Sequence, residues 1–221
     1  MKKIYMFVSL VGLSLSMFGQ ETKTAVEKKS YLSVQPGISF PLGNFTSRDL
    51  SNEDAGFAVA GFAIDLAYQY EFDKNVGIAV QGFYNRNDVA IRKLRDQTGL
   101  PNLSMDHWQF LGLVAGPVFT YLISDKVKGD FRVLGGFASA NSPNIATNGT
   151  TLAPEDWSGA GVFQTGMNLR VDLGSNAFFI GGLDYRYLSP KFKSESELIG
   201  IVEATQKMST LKLGIGLGIA F

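Results

Sequence analysis

The chain has 221 residues, of which 45% are hydrophobic and 18% charged, and its 20 basic residues balance its 20 acidic ones. This composition excludes general disorder, and the absence of net charge removes any bulk attraction for nucleic acid. The 25 glycines and 17 phenylalanines favour strands over helices. Because there is no cysteine, disulfides, thiolate metal sites and a lipid-bearing cysteine are excluded.

An export signal is the first element in chain order. Two lysines follow Met1, and a largely apolar run extends from Ile4 to Leu15. This run is shorter than the roughly 20 residues that a membrane-spanning helix requires, so it is typical of a cleaved secretory signal peptide. The predicted organisation is a signal peptide over residues 1–20, a short periplasmic lead over residues 21–30, and one domain over residues 31–221.

Period-two alternation dominates the rest of the chain. From Phe62 to Phe72 the even positions are apolar, whereas the odd positions include Asp65, Gln69 and Glu71. One face of such a strand is apolar and the other polar. Eight segments of this kind are present, over residues 31–43, 55–72, 76–90, 107–123, 128–142, 157–173, 177–190 and 205–221.

The facing of the fourth segment stays open at this point. Trp108, Phe110, Val114 and Val118 compete with the intervening positions, which include Leu111, for the apolar face.

The connections between these segments alternate in length. Three are tight turns of polar and turn-forming residues, near residues 73–75, 124–127 and 174–176. Four longer loops separate them, near residues 44–54, 91–106, 143–156 and 191–204. Short periplasmic turns and long extracellular loops are typical of outer-membrane barrels, in which aromatic residues mark both membrane interfaces. Aromatic residues near the loop ends of the segments are Tyr84, Trp157, Tyr185 and Tyr187.

These patterns predict an all-β fold, an eight-stranded antiparallel up-and-down transmembrane β-barrel in the bacterial outer membrane. Its expected surroundings are outer-membrane lipid and lipopolysaccharide. An interior that is only about wide enough for its own side chains should hold the inward polar residues. Charges enclosed there must be paired, so we predict an internal ion-pair network. Its predicted members are Asp65, Glu71, Arg132, Arg170, Asp172, Asp184, Arg186 and Lys212.

Three stretches and the strand count carry a resemblance to a known family. They are the lysine-led leader that ends in Gly19-Gln20, the run Gly-Ile-Ser-Phe-Pro-Leu-Gly-Asn-Phe over residues 37–45, and the terminal Phe221 after eight alternating segments. In these features the sequence resembles the PorT-like outer-membrane β-barrel family. The resemblance implies an integral outer-membrane barrel, and a few members of that family are implicated in protein secretion.

The last strand also resembles the signal that the barrel-insertion machinery recognises. Gly216, Ile219 and Phe221 match its glycine and its two apolar positions. We therefore expect this machinery to be an assembly partner of the chain.

Residues that could carry chemistry are sparse. His107 is the single histidine, and nucleophilic catalysis needs a nucleophile, a base and an orienting acid within hydrogen-bond reach. No catalytic residue, cofactor or metal site is predicted. The main hypothesis is a non-enzymatic barrel with a structural or loop-mediated recognition role. Two alternatives remain open, a lipid-modifying barrel enzyme that uses His107 and a secreted lipocalin-like carrier with its apolar face inward.

Overall fold

The computed structural model describes residues 29–196 and 200–221, so the predicted signal peptide lies outside the described residues. Eight long strands form a closed antiparallel barrel in the order β1-β13-β10-β9-β6-β5-β3-β2. Their bounds are β1 Ser30–Leu42, β2 Ala58–Glu71, β3 Val76–Val89, β5 Trp108–Ser124, β6 Val127–Asn141, β9 Trp157–Gly174, β10 Ala177–Leu188 and β13 Met208–Ala220.

Short elements lie in the long connections at one end of the barrel. They are a 3-10 helix at Gly43–Thr46, α1 at Ile91–Thr98, β4 at Leu103–Met105, β7 at Ile145–Thr147, β8 at Thr150–Ala153, β11 at Lys191–Ser196 and β12 at Gly200–Thr205. Strands β4, β7 and β8 form a three-stranded sheet, and β11 pairs with β12. Within the described ranges, no helix is long and apolar enough to cross a membrane.

The barrel has an apolar exterior and a polar interior. Outward Leu66 and Phe137 are 56% and 80% exposed, whereas inward Asp65 and Gln164 are almost fully buried. An apolar outer wall suits lipid, and the closed ladder leaves no unpaired backbone edge. The lipocalin-like alternative is wrong, because it requires the opposite polarity.

The structure decides the facing of β5, the fourth barrel strand. Trp108, Phe110, Val114 and Val118 are buried in the lumen, while Leu111 and Leu113 are exposed on the outer wall. Both faces of this strand are apolar because its inner face meets an apolar part of the lumen and its outer face meets lipid.

Close backbone approach at the seam between β1 and β13 depends on Gly216. The residue pairs with β10 on its other side, and a Cβ atom there would lie 1.9 Å from the Val34 carbonyl oxygen. The seam ends at Phe221, whose backbone exchanges hydrogen bonds with Ser30 at 2.9 and 3.1 Å. Ile219 and Phe221 point outward and are exposed. Recognition of these three positions by the insertion machinery stays a prediction.

Replacing Gly216 with alanine should destabilise the closed barrel by about 1–3 kcal/mol, since the added methyl group forces the strands apart. Gly135→Ala is the matched control, because a Cβ atom there would lie 3.9 Å from its nearest neighbour. Urea unfolding of both variants in detergent micelles measures the difference. Equal stability of the two variants would contradict the seam constraint.

Candidate functional site

Five charged residues from four strands form a central cluster in the lumen: Asp65, Arg132, Asp184, Arg186 and Lys212. Lys212 Nζ donates to Asp65 Oδ2 at 2.6 Å, and Arg186 Nη2 donates to Asp65 Oδ1 at 3.2 Å. Arg132 Nη2 donates to Asp184 Oδ1 at 2.7 Å. Each of these side chains is at most 3% exposed, so the pairs are screened from bulk water.

Neutral groups make the remaining contacts of the Arg186 guanidinium. Its Nε donates to Gln164 Oε1 at 2.9 Å, and its Nη1 donates to Asn85 Oδ1. The guanidinium carbon lies 3.7 Å from the centroid of the Phe83 ring, a cation–π contact. Arg186 thereby joins the central cluster to the aromatic residues on the loop side of it.

A second group, the basal cluster, lies nearer the short turns and contains Tyr31, Glu71, Lys128, Asp130 and Arg170. Arg170 Nη2 donates to Glu71 Oε1 at 2.5 Å and to Asp130 Oδ1 at 2.8 Å, and its Nε lies 2.6 Å from Asp130 Oδ2. The hydroxyl of Tyr31 donates to Glu71 Oε2 at 3.0 Å, and Lys128 Nζ lies 3.3 Å from the same oxygen. Arg170 therefore bridges two carboxylates that come from different sides of the barrel.

The structure encloses seven of the eight charged residues named in the sequence analysis. Asp172 was predicted to join them and does not. It is exposed at the rim beside the β9–β10 turn, where Oδ1 accepts a hydrogen bond from the Gly174 amide at 2.8 Å. Alternation predicts that Asp172 points inward. So close to the turn, however, the lumen is open to solvent, and the carboxylate accepts a hydrogen bond from the turn instead.

Asp130 is the lumen carboxylate that sequence reasoning missed. It is 3% exposed, and besides Arg170 it accepts a hydrogen bond from the Thr120 hydroxyl at 2.8 Å. Since Asp130 lies two residues before Arg132 on β6, the alternation that places Arg132 inside places Asp130 inside as well.

An apolar plug fills the lumen above the central cluster, towards the long loops. Trp108 and Phe110 of β5 lie in it with Phe45, whose loop folds back over the barrel mouth. The Phe45 and Trp108 rings are 5.7 Å apart in an edge-to-face arrangement, and Trp108 Nε1 donates to the Gly56 carbonyl at 2.9 Å. Phe192 of β11 packs against the other side of Trp108, with 5.9 Å between ring centroids. The mouth is thus covered by aromatic side chains.

Three long loops fold together into a crown at the loop end of the barrel, which comprises residues 43–57, α1 and the β4-β7-β8 sheet. Its core is formed by Phe57, Leu94 and Leu103, and Ile145 and Leu152 pack against them. Strand β4 pairs with β7 across about 40 residues of sequence. The crown has its own hydrophobic core and is therefore an ordered surface.

The β11–β12 hairpin stands beside the crown and is joined by an exposed ion pair. Lys193 Nζ lies 2.7 Å from Glu203 Oε1. The hydrogen bond between them raises the pKa of Lys193 and lowers the pKa of Glu203. Both groups are solvent-exposed, so the pair adds little to stability.

His107 lies at the start of β5, and Nε2 of its ring is 2.7 Å from the Gln109 amide nitrogen. No serine or carboxylate hydrogen-bonds to this ring in the part of the chain that the structure describes, and that part contains no cluster of three or more potential metal ligands. The arrangement gives the imidazole neither a nucleophile nor an orienting acid.

Solved outer-membrane proteins share this fold. Ail, the attachment invasion locus protein of Yersinia pestis, is 18% identical over 88% of this chain and 100% of its own, with a TM-score of 0.51. A major outer membrane protein from Thermus thermophilus is 12% identical over 87% and 99%, with a TM-score of 0.56. Neisserial surface protein A is 13% identical over 87% and 97%, with a TM-score of 0.51. No family model and no curated protein matches the sequence.

The protein is an integral outer-membrane β-barrel. At these identities the likenesses establish the fold, and the apolar outer wall with its closed ladder gives the physical reason for the location. The short turns and both described chain ends lie on the side opposite the crown, as in a barrel with periplasmic termini.

Arg170→Ala should lower the free energy of unfolding by about 3–5 kcal/mol, because Asp130 then remains buried without its cationic partner. Lys193→Ala is the control, since it breaks an exposed pair and should cost less than about 1 kcal/mol. Equilibrium unfolding in urea, with the barrel in lipid vesicles, gives both values.

A double variant, Arg170→Ala with Asp130→Asn, tests the cause. It should recover part of the lost stability, because the stranded charge is gone. An Arg170→Ala barrel as stable as the Lys193→Ala barrel would show that the basal cluster contributes no pairing energy.

Proposed function

We propose that the protein is a sealed, non-enzymatic outer-membrane barrel that presents its extracellular crown as a recognition surface. The observation that carries this proposal is the crown's own hydrophobic core of Phe57, Leu94 and Leu103. Loops that served only to connect strands would have no need of a core. An ordered surface loses less conformational entropy when it binds a partner, so it suits specific recognition.

The lumen supports a structural role for the barrel. The basal cluster, the central cluster and the apolar plug follow one another from the periplasmic turns to the mouth. Paired charges hold opposite walls together, and the aromatic plug excludes water above them. A continuous aqueous path through this interior would require several of these contacts to separate.

The purified wild-type barrel in a planar lipid bilayer should therefore show no stable openings of porin size. Narrow eight-stranded closure and the side chains that fill it both oppose ion flow. The measurement is single-channel current at fixed voltage, with a known porin added afterwards to show that the bilayer accepts channels. Large, stable openings of the wild-type protein alone would show that the lumen is a pore.

A second experiment tests the recognition role directly. A photo-cross-linking amino acid at Leu100, which is 40% exposed in the crown, should give discrete protein or glycan adducts on intact cells. The control position is Lys74, which is exposed in a periplasmic turn. Adducts to membrane lipid alone at Leu100 would contradict the proposal.

The secretion-related role is the second candidate, and it rests on the PorT-like resemblance. A cavity of about 320 Å³ at the periplasmic end, lined by Tyr31, Lys126, Lys128 and Arg170 among others, offers a polar surface on that side. Discrete protein adducts at Lys74, with none at Leu100, would favour this role over extracellular recognition.

A further inference from the structure

Two charged residues interrupt the apolar outer wall. On the outward faces of the eight barrel strands, all of which the structure describes, Arg86 and Asp88 of β3 are the charged side chains. Every other charged residue on these strands points into the lumen or lies at a strand end near a turn. An outward arginine is costly at the membrane midplane and costs little near the interface. Its depth in the membrane therefore decides whether it is tolerated.

Arg86 lies near the crown end of the barrel's outer wall. It is three residues from the loop end of β3, and it follows Tyr84 by two residues, or about 7 Å of strand. The Tyr84 hydroxyl donates to Gln109 Oε1 at 3.0 Å, as an interfacial tyrosine with one polar end would. Arg86 is thus in the part of the outer wall where interfacial polar groups begin.

The protein compensates this charge only weakly, through one long and exposed ion pair. The Arg86–Asp88 contact is 3.8 Å long, and the two side chains are 50% and 63% exposed. The buried arginines of the lumen, in contrast, have carboxylate oxygens within 2.5–3.2 Å. The contact with Asp88 is made by Nε, so the terminal nitrogens of Arg86 can donate to a further partner.

A hollow of about 430 Å³ adjoins the guanidinium on the outer wall. It is lined by Gly61, Phe62, Tyr84, Arg86 and Asp88. Phe62 is 48% exposed and supplies an apolar floor, while Arg86 and Tyr84 supply polar edges. Apolar surface below a cation at headgroup depth fits an amphiphile with an anionic head.

Further polar groups lie on the neighbouring strand. Gln109 of β5 is the register partner of Arg86. Its amide nitrogen lies 2.7 Å from His107 Nε2, and its Oε1 accepts a hydrogen bond from the Tyr84 hydroxyl at 3.0 Å. The outer wall thus carries a cation beside neutral polar groups on two adjacent strands at the crown end of the barrel.

We propose that Arg86 and its neighbours bind a phosphate group of lipid A, the phosphorylated glycolipid anchor of lipopolysaccharide in the outer leaflet. A guanidinium binds phosphate oxygens through two parallel hydrogen bonds, which suits this chemistry better than a lysine would. The inference rests on the proposed orientation, with the crown outside, and it concerns the barrel wall instead of the crown.

The test compares binding of diphosphorylated lipid A by the wild-type barrel and by Arg86→Gln, using native mass spectrometry of the full protein in detergent. Arg86→Gln should weaken binding on the order of tenfold or more, since a hydrogen bond to a charged group is lost. Asp88→Asn should strengthen binding several-fold, because it removes a carboxylate that competes for the guanidinium. Arg92→Gln, an exposed arginine of α1, is the matched charge control and should leave binding unchanged.

Two further probes identify the ligand. Lipid A stripped of phosphate should lose the dependence on Arg86, and phosphatidylglycerol should bind without distinguishing Arg86→Gln from wild type. Equal lipid A binding by wild type and Arg86→Gln, or equal weakening in Arg92→Gln, would overturn the proposal. So would phosphatidylglycerol binding that depends on Arg86 as strongly as lipid A binding does.

The heat-dependent shift of the barrel on electrophoresis establishes that each variant is folded. Arg86→Lys is the second variant if Arg86→Gln fails to fold, and it should retain part of the affinity because the charge remains. Failure of lipid A binding would leave the crown cross-links at Leu100 unaffected, so this inference and the proposed function fail separately.

Discussion

The pairing of buried charge in a narrow lumen is the constraint on which the rest of this structure depends. An outer-membrane barrel must turn its apolar side chains towards lipid, so its polar residues face inward. In an eight-stranded closure there is little room for water to solvate them. In this barrel the buried charges are paired instead. Arg170 forms ion pairs with Glu71 and Asp130, and Asp65 forms ion pairs with Lys212 and Arg186. The Arg170–Glu71 pair and both ion pairs of Asp65 also connect strands that are not neighbours in the barrel.

The apolar plug follows from the same constraint. The attraction between the charges of the central cluster is strong only where water is excluded. The mouth of the barrel, however, opens towards solvent. Phe45, Trp108 and Phe192 cover that opening, and each comes from a different part of the chain. The inward face of β5 is apolar for this reason, although its partner β6 carries Asp130 and Arg132 on its inward face. Loop and barrel are therefore one packing unit, and the loop that carries Phe45 is part of the lumen's closure.

Much of the barrel could be predicted from the sequence, because a strand in this setting is specified by local alternation. All eight segments lie within three residues of the observed strands. The prediction of the lumen network was wrong at two residues. Asp172 follows the alternation but lies beside a turn, where an inward position is not enclosed. Asp130 also follows the alternation, and it is enclosed. Parity gives the direction of a side chain, whereas distance from the rim decides whether it is buried.

The crown could not be predicted in the same way. Its sheet joins β4 to β7 across about 40 residues, through segments of three or four residues that are too short to show a period. Leu94 and Leu103 are ordinary apolar loop residues in the sequence, and only their meeting with Phe57 makes them a core.

Arg86 is the opposite case. Local alternation predicts its outward position, but the partner that we propose for it is not part of the chain. Alternation places Arg86 outward, and its ion pair with Asp88 is long and exposed, so it compensates the charge only weakly. Inside the barrel, an arginine in this condition would be destabilising, because no solvent or ion could compensate it. On the outer wall at headgroup depth, the membrane supplies the compensation. A charge next to an apolar environment needs an opposite charge, and in the lumen this requirement is met by ion pairs. For Arg86, the anionic surface of the lipid meets the same requirement.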